Sequence, residues 1–145
     1  MSIANADQRV LGYLGRGLSL ELSAVQLYTT QARLVDTWGL AEVAGKLSAE
    51  ASEELEHAER IISRMLALGV APNASQLRPV SLGRDLRELL EYDHAFEEEL
   101  VTLYSEASNH CRRIGDQDNR LFFEALLAEE QAHAVTLKDW LQQLQ

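Results

Sequence analysis

The stretch SEELEHAERIISRML (residues 52–66) and its shorter counterpart LAEEQAH (residues 127–133) decide how this chain folds. In the first, Glu54, Ala58, Ile61 and Met65 recur at steps of four and three, the spacing that puts side chains on one face of an α-helix. That face is apolar except at Glu54, and His57 follows three residues later on the same side. The second stretch repeats the pattern with Glu130 and His133, and Leu126 just before it continues the same face. An apolar helix face interrupted by one carboxylate and one imidazole is a seam with chemistry in it. A lone ionised carboxylate in such a place costs several kcal/mol in effect, so it must be paired or bind metal.

Working outward, two further stripes carry the same signature. Leu14, Leu18, Glu21, Val25, Tyr28, Ala32 and Val35 mark a first helix. Leu40 to Leu68 mark the second, around Glu54. Leu86, Leu90, Asp93, Glu97, Leu100, Tyr104, Ala107 and Cys111 mark a third, and Phe123 to Leu141 a fourth. Leu, Ala, Glu, Gln and Arg dominate the composition and favour helix, and Val and Ile runs are absent. The two prolines, Pro72 and Pro79, both fall between the second and third stripes. The expected fold is all-α, a four-helix bundle forming a single domain over residues 1–145. Gly39 and Gly115 suit tight turns between antiparallel helices, and Gly69 suits the end of the second helix. Ser81 is the expected N-cap of the third helix and Asp116 of the fourth. The segment from Gly69 to Val80 exceeds an ordinary helix–helix turn and, extended, could reach about 40 Å.

The net charge of −10 disfavours nucleic acid and anionic membranes as partners and favours cations. No apolar stretch is long enough to span a bilayer, and MSIANADQRV lacks the basic start and apolar run of a secretory signal. Cys111 is the only cysteine, so neither a disulfide framework nor a Cys₄ iron site can form within one chain. A cytoplasmic home is expected.

The spacing of the polar interruptions makes the chemistry specific. Glu21 to Glu54 and Glu97 to Glu130 are both 33 residues apart. Gly39 and Gly115 each follow the first glutamate of their half by 18 residues, and Tyr28 and Tyr104 follow it by 7. His57 and His133 each lie 18 residues beyond the turn glycine. The halves are repeats, and equal arms about each turn put Glu21 level with His57 and Glu97 level with His133. Four glutamates and two Glu-x-x-His pairs on four helices match a di-iron carboxylate bundle, and ferrous iron accepts both ligand types. The expected centre has Glu21 and His57 on one iron, Glu97 and His133 on the other, and Glu54 and Glu130 bridging. Each iron then supplies one electron to an oxidant. His94 also follows a glutamate, Glu91, by three, but the repeat selects Glu97, so His94 is read as solvent-facing. His110 has no assigned role. Tyr104 is read as core packing, whereas Tyr28 is a candidate for a hydrogen bond at the site or for electron donation. Cys111 is read as a buried hydrophobe, and Glu50, Glu53, Glu56 and Glu59 as solvated.

With these residues in view the chain resembles bacterioferritin along almost its whole length. The resemblance rests on LSLELSAVQLYTTQARLVDTWGL (18–40), SEELEHAERIISRML, YDHAFEEEL (92–100) and LAEEQAH. It implies a ferritin-like bundle whose long loop crosses between helices two and three. It also implies a di-iron ferroxidase that oxidises ferrous iron with oxygen or peroxide, for iron storage or detoxification. The expected assembly is a homo-oligomer, at least a two-fold dimer and in the family often a hollow cage. Leu27 and Leu34, off the core stripe, are expected to be exposed and to serve that dimer. The family's haem is held between subunits by a methionine directly after the second-helix bridging glutamate. Leu55 stands there, so no haem is expected. An inner-surface histidine of some members is replaced by Ala49, and the family's short fifth helix has no counterpart in these residues. The competing readings are a rubrerythrin-like di-metal oxidoreductase that reduces peroxide and a non-catalytic helical assembly subunit.

Overall fold

The computed structural model describes residues 6–73 and 75–144; the opening positions read above for a secretory signal lie partly outside that range. Four helices follow one another: α1 (Gln8–Thr37), α2 (Ala41–Ala67), α3 (Leu86–Ile114) and α4 (Gln117–Gln143), with no strand among the described residues. The periodic stripes become the buried faces. Leu14, Leu18, Leu47, Ile61, Leu100, Leu126 and Leu137 are at most 1% exposed. Burying one such side chain is worth roughly 1.5–3 kcal/mol, so the seam rather than helix propensity holds the bundle together.

Caps and turns set the ends. The Asp7 carboxylate accepts from the backbone N–H of Arg9 and Val10, starting α1. Asp116 accepts from Asn119 N–H and starts α4, as its sequence position implied. The expectation at Ser81 fails: Asp85 caps α3 by accepting from Glu88 N–H at 2.9 Å. A capping side chain accepts from an N–H two or three residues on, and Asp85, directly before Leu86 where α3 begins, is in reach whereas Ser81 is not. Gly39 (φ 82°) and Gly115 (φ 73°) adopt the left-handed backbone that ends each hairpin's first helix.

Cross-helix hydrogen bonds fix the topology. Tyr28 on α1 meets Glu97 on α3, and Tyr104 on α3 meets Glu21 on α1. As one chain position rises the other falls, so α1 and α3 run antiparallel. Tight turns make α2 antiparallel to α1, hence α2 and α3 are parallel and their connection must traverse the bundle. It runs along α1: the N–H groups of Gln76 and Arg78 donate to the hydroxyls of Ser19 and Ser23 at 3.0 and 2.9 Å. This is the long crossover of a ferritin-like bundle. Leu27 corrects an expectation. It is 2% exposed and belongs to the core, and Leu34 packs partly buried against it. Helix α1 faces α2, α3 and the crossing segment, so its buried face is wider than one stripe.

Candidate metal centre

Each helix contributes at one level. α1 brings Glu21, α2 brings Glu54 and His57, α3 brings Glu97, and α4 brings Glu130 and His133. The four glutamates are 0% exposed, His57 1% and His133 8%. They form two overlapping groups whose ligand atoms lie within 4.8 Å of one another: Glu21, Glu54, His57 and Glu130; and Glu54, Glu97, Glu130 and His133. Glu54 and Glu130 belong to both. The two imidazoles lie nearly parallel, 13° apart, with centroids 5.8 Å apart.

Within the first group, His57 Nδ1 lies 2.6 Å from Glu130 Oε1, 3.1 Å from Glu54 Oε1 and 3.3 Å from Glu21 Oε2. Within the second, His133 Nδ1 lies 3.4 Å from Glu54 Oε1 and 3.5 Å from Glu130 Oε2. Glu21 Oε1, both oxygens of Glu54, Glu97 Oε2, Glu130 Oε2 and His133 Nδ1 are buried without a hydrogen-bond partner. So many orphaned donor atoms in one place call for cations. Two divalent ions would balance the four carboxylates, and the mixed oxygen and nitrogen donor set suits iron.

The electrostatics carry the same message. Burial, reinforced by the Glu54 charge, raises Glu21 to about 7. Burial likewise lifts Glu97 well above its ordinary value, with Glu130 adding to the rise, and it raises Glu130. Burial opposes charge on the histidines, but the carboxylates crowded around each ring outweigh it. His57 is raised by Glu130, Glu21 and Glu54, and His133 is pushed up to about 12 by Glu130 and Glu54. Without metal, the cluster holds protons where metal would supply positive charge.

Around these six residues lies a shell that the sequence reading assigned only in part. Tyr28 Oη donates to Glu97 Oε1 at 2.5 Å, the hydrogen bond anticipated for it. Tyr104, read as packing alone, donates to Glu21 Oε2 at 2.6 Å. Its signal was present, since it follows Glu97 by the same 7 residues that separate Tyr28 from Glu21. Glu53 is not simply solvated: its carboxylate contacts His133 Nε2, while Glu129 lies 3.3 Å from His57 Nε2 and accepts from Arg60 at 2.7 Å. Each of these two carboxylates directly precedes a glutamate shared by both groups, and each reaches a histidine on another helix. Such partners orient the ring and select its tautomer. Glu50 Oε2 also lies 3.4 Å from His133 Nδ1.

The remaining polar residues divide cleanly. His94 pairs loosely with Glu98 at 3.6 Å, away from the centre. His110 is buried and reaches the Asp7 cap at 3.0 Å, tying the end of α3 to the start of α1. Cys111 is buried, as expected of a small hydrophobe. Asp93, one turn before Glu97, is 0% exposed, and burial lifts it to about 8 against the opposing effect of the Gln31 amide.

The comparisons with known proteins agree with this architecture. A family model for the ferritin-like domain matches residues 11–145. Bacterioferritin of Rhodobacter capsulatus is 39% identical over 132 residues, covering 91% of this chain and 82% of that protein. Bacterioferritin of Brucella melitensis is 33% identical, with coverages of 93% and 84%. The Rhodobacter capsulatus structure, described with a metal-free dinuclear site and a haem iron, superposes with a TM-score of 0.90 at 37% identity, over 94% of this chain and 86% of that one. Mycobacterium tuberculosis bacterioferritin BfrA also superposes with a TM-score of 0.90, at 31% identity, over 96% and 87%. With its four helices, crossover and doubled carboxylate–histidine cluster, this chain belongs to the bacterioferritins of the ferritin-like family.

Proposed function

We propose that this protein is a ferroxidase whose di-iron centre is held by Glu21, Glu54, His57, Glu97, Glu130 and His133, and that it serves iron storage or detoxification. The observation that carries this reading is the overlap of two buried four-residue groups through Glu54 and Glu130. A carboxylate common to two sites holds two ions close together, the arrangement needed to deliver two electrons to one oxidant. Ferrous iron is the substrate, oxygen or peroxide the acceptor, and each bound iron gives up one electron.

The chain's own groups prepare that event. Glu21 with His57, and Glu97 with His133, complete the two coordination spheres. Glu129 and Glu53 hold the Nε2 atoms of His57 and His133, leaving Nδ1 of each ring directed at the carboxylates. Both imidazolium protons and those on the raised glutamates must leave as metal enters. No helix among the described residues is long and apolar enough to cross a membrane. The protein acts as a homo-oligomer, at least a dimer, with a cage as the form that would enclose stored mineral. Leu55 and Leu66 on α2, 46% and 61% exposed, are apolar surface available to such contacts.

The test is stopped-flow absorbance after mixing metal-free protein with ferrous iron and oxygen. Glu54→Ala and His57→Ala should abolish rapid oxidation while circular dichroism retains the helical signal. Wild-type rates in either folded variant would place the centre elsewhere.

A further inference from the structure

We propose that Tyr104 is a positioning residue for Glu21, seated by Gly17, and that it commits the Glu21 carboxylate to bind metal through one oxygen. This rests on Glu21 being a ligand of the centre. The Tyr104 hydroxyl donates to Glu21 Oε2 at 2.6 Å, and Glu21 Oε1 is buried with no partner. The other half repeats the arrangement: Tyr28 occupies Glu97 Oε1, and Glu97 Oε2 is left without a partner. One oxygen of each outer carboxylate is capped by a phenol and the other is free.

Burial and the charge of Glu21 hold Tyr104 in its neutral, donating form. Its ring stacks on Phe123 with centroids 6.3 Å apart. It also approaches α1 at Gly17, where an added Cβ would lie 3.2 Å from Tyr104 Cε1, 3.3 Å from its hydroxyl and 3.4 Å from Ile61 Cδ1. The internal repeat pairs Gly17 with Asp93, each four residues before its glutamate. Tyr28 therefore feels the charge of Asp93, whereas Tyr104 meets only a glycine at the equivalent position. Without the Tyr104 hydroxyl, Glu21 Oε2 keeps only His57 Nδ1, 3.3 Å away. The carboxylate can then turn toward that ring or present both oxygens to the metal, and the site loses its defined geometry.

The experiment is an anaerobic titration of metal-free protein with Co(II), read by its visible d–d absorption. The wild type should bind two ions. Tyr104→Phe keeps the ring in the core and should weaken one ion on the order of tenfold, changing its band while the other ion keeps wild-type affinity and spectrum. Gly17→Ala, which retains the hydroxyl but crowds the ring, should perturb the same ion, and Tyr28→Phe the other. Thermal unfolding in chelator confirms that each variant is folded. Unchanged binding and spectra in Tyr104→Phe, or equal weakening of both ions, would overturn the positioning role, and an unchanged Gly17→Ala would remove Gly17 from it. A wild type that binds fewer than two Co(II) ions would overturn the ligand assignment itself.

Discussion

Raising the pH from 6 to 8 should destabilise the metal-free protein and, over the same range, strengthen stabilisation by metal. Glu21 has an ordinary value of 4.5 and a folded value of about 7. A carboxyl raised on folding binds its proton more tightly in the native state. Its stabilising contribution is complete below 4.5 and is lost as pH climbs through 7. Between pH 6 and 8 the loss from Glu21 alone is about 1.4 kcal/mol, one pKa unit's worth. For a domain of this size that lowers the melting temperature by about 3–6 °C. The raised histidines act with the same sign, because their contribution fades as pH rises above their ordinary value of 6.5. Asp93, lifted from 3.8 to about 8, adds to it. Metal needs the deprotonated ligands, so its stabilisation grows as those protons leave. The assay is thermal unfolding by circular dichroism from pH 6 to 8, in chelator and with redox-inert Zn(II), for the wild type and Glu21→Gln. The variant should lose Glu21's share of the slope. A metal-free melting temperature that rises from pH 6 to 8, or a Glu21→Gln slope equal to the wild type's, would refute the reasoning.

Purified protein should show no Soret band, because Leu55 offers no thioether to a haem iron; a band that vanishes in a Leu55 variant would contradict this. Light scattering at micromolar concentration should give at least a dimer, and a strictly monomeric mass would count against assembly; a dimer that stays a dimer after iron loading would favour catalysis or iron hand-off over mineral storage. Leu14→Ala, at a position 0% exposed, should cost about 3 kcal/mol in chemical denaturation, and a loss below 1 kcal/mol would mean that this layer of the seam is not tightly packed.

Much of this protein is written along its helices. The four stripes, the turn glycines Gly39 and Gly115 and the Asp116 cap depend on spacing within a helix or a single turn, and the 3.6-residue period displays them directly. The six residues of the cluster were legible for a related reason. A carboxylate on an apolar face is costly alone, and the 33-residue repeat ties each one to a partner. What spacing does not contain is which side chains meet across helices, and how wide each buried face becomes. Tyr104 and Tyr28 sit at matching positions, but only the approach of α3 to α1 turns Tyr104 into a donor to Glu21. Glu53 and Glu129 look like surface charges on their own helices and become partners of His133 and His57 only when α2 and α4 are brought together. Leu27 lies off the stripe and is buried because α1 faces two helices and the crossing segment rather than one. Periodicity reports a direction around one helix axis; the contacts that orient a metal ligand depend on the distance between axes, which only the packed bundle sets.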